Sequence, residues 1–127
     1  MPPQLRLLVC GDRHWTDQEL VDRTLDEIHA AVPIAVLIEG EAKGADTCGR
    51  IWAETRTPPV PVLRFPAQWK AFGKAAGPIR NQQQLDEGKP NLVVAFHDNL
   101  ANSRGTAHMV RIARAASILV KIVNHVT

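Results

Sequence analysis

Five short runs of residues, apolar on consecutive positions and not on alternate ones, recur along the chain: Leu5–Cys10, Ile34–Ile38, Val60–Leu63, Asn91–Phe96 and Ile118–Val123. A strand that is apolar throughout is covered on both faces, as happens in a parallel sheet between two helical layers. Helix-spaced segments separate the runs. From Asp17, the residues Leu20, Val21, Thr24, Leu25, Ile28 and Val32 share one face, with Thr16 or Asp17 as N-cap and Pro33 closing the element. Ala45, Cys48, Ile51, Trp52 and Thr55 make a second face, Gly77-Pro78 opens a third helix that runs to Gly88, and Gly105-Thr106 opens a fourth that reaches Ala116. Pro61 cannot donate to a ladder, so its strand belongs near an edge, and the stretch with Phe65, Pro66, Trp69 and Phe72 reads as a loop. The alternation predicts an α/β, Rossmann-like three-layer sandwich whose five-stranded parallel sheet has the order 3-2-1-4-5, with helices on both faces.

A chain of 127 residues can bury one adequate core, so residues 1–127 are expected to form a single domain. No apolar stretch approaches the roughly 20 residues of a membrane span, and Met1 to Leu8 lacks the pattern of a signal segment, so the expectation is a cytoplasmic protein without membrane contact. Cys10 and Cys48 are not in a CxxC pattern and are expected to be reduced, small and buried. The formal net charge of +2 gives little long-range pull on a polyanion, which argues against nucleic acid as a partner. An anion site would have to be local.

In an open parallel sheet the ligand sits beyond the carboxyl ends of the strands, near the point where the winding reverses, here between the first and fourth. Three motifs fall on that edge: Gly11-Asp12-Arg13-His14, Gly40 to Asp46, and Arg104-Gly105-Thr106. Gly40 and Gly44 would let backbone amides approach an anion, and the helix entered at Ala45 adds the positive end of its dipole, although glycines in turns are the commoner explanation for each alone. Ser103 and Thr106 offer hydroxyls and Arg104 a forked donor for phosphate, while Ser103 serves equally as an N-cap. Arg13 and Arg80 could reach the same crevice, whereas Arg111 and Arg114 lie on a solvated face. Asp46 suits a ribose hydroxyl or a helix cap in equal measure. Glu41 and Asp46 are the candidates for acid–base work, with a solvent-exposed turn the simpler account of Glu41. Among the aromatic residues Trp15, Trp69 and Phe72, Trp69 is the best placed to stack on a base. The five histidines show no HExxH spacing, and neither a metal nor a resident cofactor is expected.

Read in order, Leu8-Val9-Cys10-Gly11-Asp12-Arg13, Gly40-Glu41-Ala42-Lys43-Gly44-Ala45-Asp46, Trp52-Ala53, Ala76-Gly77-Pro78-Ile79-Arg80-Asn81 and Gly105-Thr106-Ala107-His108-Met109-Val110 resemble the YspA-like, YpsA-related branch of the SLOG superfamily. The resemblance covers nearly the whole chain. It implies a Rossmann-like domain that binds or senses a phosphorylated nucleotide or nucleoside derivative, of the ADP-ribose or cyclic-nucleotide class. On this likeness the ligand-binding residues are Gly11, Arg13, Gly40, Gly44, Asp46, Arg80, Asn81, Arg104, Gly105 and Thr106. The superfamily also contains phosphoribohydrolases and the DNA-uptake protein DprA, which makes N-glycosidic hydrolysis of nucleoside monophosphates the alternative and single-stranded nucleic-acid binding a third. The hydrolases carry Pro-Gly-Gly before their Gly-Thr and acidic residues just after it, whereas this chain has Asp98 to Arg104 before and His108 and Met109 after. Binding is therefore better supported than hydrolysis, and a C2 homodimer is the expected assembly.

Overall fold

A computed structural model describes residues 4–125. Residues 1–3 and 126–127, part of the single domain expected over 1–127, lie outside the described residues. The elements follow in the order β1 (Leu5–Gly11), α1 (Gln18–Ala31), β2 (Ile34–Glu39), α2 (Ala45–Thr55), β3 (Val62–Arg64), α3 (Trp69–Phe72), α4 (Ala76–Gly88), β4 (Leu92–Phe96), α5 (Arg104–Ala115) and β5 (Leu119–Val123), with 3-10 turns at Gly73–Ala75 and Leu100–Asn102. All strands run parallel in one sheet of order β3-β2-β1-β4-β5, the expected winding.

Alternation along β1 explains the layers. Leu7 and Val9 face one way and join Val21, Leu25 and Trp52 from α1 and α2, while Leu8 faces the other way and meets Leu85, Met109 and Ala113 from α4 and α5. The middle of the central strand, Leu7 to Val9, is apolar on consecutive positions because both faces are roofed there, while Arg6 at its start turns its guanidinium to the Gly88 carbonyl. Helix ends are set locally: the Asp17 side chain accepts the Leu20 amide at 3.0 Å, and Lys89 closes α4 in the left-handed conformation. No helix among the described residues is long and apolar enough to cross a membrane.

Three expectations need correction. The third strand lies at Val62–Arg64 instead of Val60–Leu63, because Val60 donates back to Ala53 under α2 and Pro61 contributes only its carbonyl, to Leu37. The stretch around Trp69, read as loop, holds one helical turn that Gly73 ends at φ +56°. The last strand is a half-exposed edge, with Leu119 at 74% exposure, and is not covered throughout. Both thiols are free; Cys48 is buried and Cys10 partly so, with burial pushing the Cys10 thiol far up and keeping it neutral.

Candidate functional site

Gly11 ends β1 opposite Phe96 of β4, so the turn that follows it stands at the winding reversal. Three backbone hydrogen bonds fasten that turn. The Asp12 amide donates to the Phe96 carbonyl at 2.9 Å, and the Asp12 carbonyl accepts from Trp15 at 3.0 Å and from Ala45 at 3.1 Å. The chain from β2 thus crosses directly under the turn from β1. A Cβ on Gly44 would overlap the Asp12 carbonyl, and one on Gly11 the Phe96 carbonyl, so both glycines are required by the approach of one backbone to another. Arg13 projects from the turn, exposed, with its Nε at 3.4 Å from His14 Nε2.

Three amides at the start of the loop from Gly40 to Asp46 are taken up by carboxylates of the loop and its strand. Gly40 and Ala42 donate to Asp46 Oδ2 at 2.9 and 3.3 Å, and Glu41 donates to Glu39 Oε2 at 2.8 Å. Asp46 is 6% exposed, and desolvation lifts its carboxyl to about 6, partly offset by the Arg80 guanidinium and these two amides. The helix cap falls to Gly44, and Asp46 acts as the peg on which its own loop is folded. Glu41, at φ +57°, is exposed and pairs with Arg64 at 3.4 Å, as the turn reading anticipated.

Arg80 and Asn81, adjacent on α4, tie the two sides of the edge together. Arg80 Nη1 donates to the Gly40 carbonyl at 2.6 Å and its Nε to Asn81 Oδ1 at 3.1 Å; Asn81 Nδ2 reaches both the Gly105 carbonyl and His108 Nδ1 at 3.1 Å. His108 accepts this bond as a neutral ring, and partial burial holds its pKa below the ordinary value. Arg80→Met should therefore loosen β2, α4 and α5 from one another, lowering stability by about 2 kcal/mol, read as a shifted denaturation midpoint. Melting identical to wild type would show that these bonds hold nothing.

At α5, Ser103 is the N-cap, its Oγ accepting the Thr106 amide at 3.2 Å. The amides of Arg104 and Gly105, first and second in the helix, have no carbonyl one turn back to donate to. Arg104 and Gly105 are exposed, and nothing stands within 4 Å of a Cβ built on Gly105. Thr106 is buried. Met109 is also buried, in the core under α5, so of the two residues standing where related hydrolases keep acids only His108 is near the surface.

The edge thus brings together Gly11 and Gly44 around the first turn, and Asp46, Gly40, Arg80, Asn81 and Gly105 through one hydrogen-bonded chain. Arg13 and Arg104 stand exposed beside them. Trp15 is a core residue, 5% exposed and packed on Phe96, whereas Trp69 is 59% exposed on α3. Sequence reasoning passed over His125, whose ring stacks on Trp15 at 4.6 Å and, protonated, donates to Asp98 and Asp17, both at 2.8 Å. Those two bonds raise its pKa and lower both carboxyls. Sequence reasoning leaves out Glu39 as well, for which the available signal is its place directly after the apolar run Ile34–Ile38, as the last residue of β2. Among the described residues no three His, Cys, Asp or Glu side chains converge as metal ligands would.

A family model described as the YspA, cpYpsA-related SLOG family matches residues 5–72, a span that holds Gly11, Arg13, Gly40, Gly44 and Asp46. The Gene 61 protein of Mycobacterium phage D29 is 35% identical over 118 residues, covering 89% of this chain and 91% of the phage protein. No solved structure matches the chain.

Proposed function

From the premise that this chain belongs to the YspA, cpYpsA-related SLOG family, we propose that it binds a phosphorylated nucleotide or nucleoside derivative, with the phosphate on the first turn of α5. The observation that carries this reading is the exposed start of that helix: two amides without intrahelical partners, open space over Gly105, and the exposed guanidinium of Arg104. Helix dipole and amides both favour an anion there. Arg13, across the winding reversal, supplies a second positive charge.

The remaining members of the set support this seat without touching ligand. Asn81 fixes the Gly105 carbonyl, Arg80 locks α4 to Gly40, and Asp46 folds the loop that Gly44 lets pass under Asp12. Recognition of a ribose by Asp46 is the less favoured part for it, because the residue is buried and folding its own loop through Oδ2 already accounts for it. The same engagement weakens N-glycosidic hydrolysis through Asp46, and no observation favours it through Glu41. A ligand-sensing role fits a site built from backbone and guanidinium groups.

Isothermal titration against AMP, ADP, ADP-ribose and cyclic nucleotides tests the proposal. Wild type should bind at least one, and Gly105→Asp should weaken it about ten-fold or more by setting a carboxylate in the phosphate seat, with no loss of melting temperature. Gly44→Asp cannot serve as this control, since it would damage the fold itself. Binding of every nucleotide by Gly105→Asp at wild-type affinity, or of none by wild type, overturns the reading.

A further inference from the structure

An open cleft of about 340 Å³ lies one strand outward from the winding reversal, lined by Glu39, Glu41, Thr47, Arg50 and Arg64. Glu39 lies on the sheet face covered by α1 and α2, two residues beyond Leu37, and is fully buried at the floor. Its Oε2 accepts the Glu41 amide, but Oε1 has no hydrogen-bond partner, and Arg64 Nε stands 3.9 Å from it, too far to donate. A buried carboxyl oxygen left without a donor carries a desolvation penalty that an incoming O–H or N–H would relieve.

The walls restrict what that donor belongs to. Arg64 reaches Glu41 at 3.4 Å and Glu54 at 3.3 Å, and Arg50 reaches Glu54 at 3.2 Å, so guanidiniums and carboxylates alternate around the rim. These exposed pairs are weak and open to competition. No aromatic or aliphatic side chain lines the cleft, which leaves no apolar surface for an acyl chain to pack on. Two guanidiniums against three carboxyls offer no excess of positive charge for a phosphate. What fits is a neutral molecule with donors and acceptors on adjacent atoms.

The geometry points to a second binding site, for a compact polyhydroxylated ligand such as a monosaccharide ring, one hydroxyl donating to Glu39 Oε1 while its neighbours accept from Arg64 and Arg50. This site is independent of the nucleotide reading, because it uses neither the first turn of α5 nor Arg13.

D-ribose titrated into isotopically labelled protein, followed by amide NMR, is the test. Saturable shifts are expected at Glu39, Glu41, Thr47 and Arg50. Glu39→Gln, nearly isosteric, should keep the fold and weaken the response about ten-fold, and Gly105→Asp should leave it intact. A parallel titration with inorganic phosphate should move Gly105 and not these residues. The proposal is overturned if D-ribose gives no saturable shift, if its shifts survive Glu39→Gln unchanged, or if they centre on Gly105.

Discussion

Gly44→Ala is expected to cost the fold about 3 to 5 kcal/mol, a large part of the 5 to 15 kcal/mol that holds a typical domain together. Two separate effects add. Gly44 sits at φ +75°, ψ −120°, a region closed to residues with a Cβ, and that Cβ would fall on the carbonyl of Asp12. The obstacle is backbone, which cannot rotate aside as a side chain would. Relief would require parting the β1 turn from α2, with loss of the Ala45 to Asp12 hydrogen bond. Gly105→Ala provides the contrast: space is open there, and alanine in a helical first turn should raise stability by up to about 1 kcal/mol. Chemical denaturation of the two variants side by side checks both signs, and equal midpoints would mean that the loops do not interlock as described.

Raising the pH from about 4.5 to about 7.5 should destabilise the protein by on the order of 3 kcal/mol. Burial lifts Glu39 from the ordinary 4.5 to about 7 and Asp46 from 3.8 to about 6. Between the unfolded and folded values the native state holds protons that the unfolded chain has released. Stability is therefore greatest below the unfolded values and declines as pH climbs through the folded ones. His125, raised by its two aspartates, acts with the same sign, while the lowered Asp17 and Asp98 work the other way and only as pH falls through their own range. Glu39→Gln should flatten the profile and melt above wild type at pH 8. A wild-type midpoint that rises steadily from pH 5 to 7.5 would contradict the assignment.

The fold was legible because its determinants are local or periodic. Apolar runs, helix spacing and the Asp17 and Ser103 caps can be read within a dozen residues, and parallel winding follows from them. The third strand begins two residues later than expected because the Val60–Ala53 and Pro61–Leu37 bonds are tertiary. Site positions were legible for a similar reason, since Gly, Arg and Asp at strand ends stand out in a chain. Their roles were not. What Gly44 avoids is Asp12, what Arg80 holds is a carbonyl forty positions earlier, and what Asp46 accepts are amides of its own loop. Spacing alone cannot tell a residue that touches ligand from one that braces the loop beside it. Glu39 was obscured differently, as a charged residue closing an apolar strand, where only its burial reveals its importance.

The His125 clamp has a practical bearing on how such a protein is handled. Because its ring lies on Trp15 and bridges Asp17 and Asp98, the chain leaves the described fold beside the entry to α1, at the same edge as Arg13 and Arg104. Leu5, by contrast, opens β1 at the opposite edge. An affinity tag, fluorophore or surface tether joined after His125 would emerge on the edge that carries the first turn of α5, where the phosphate is proposed to sit, and would compete with a ligand there or report on it. Immobilisation through the amino end would leave that edge facing solution.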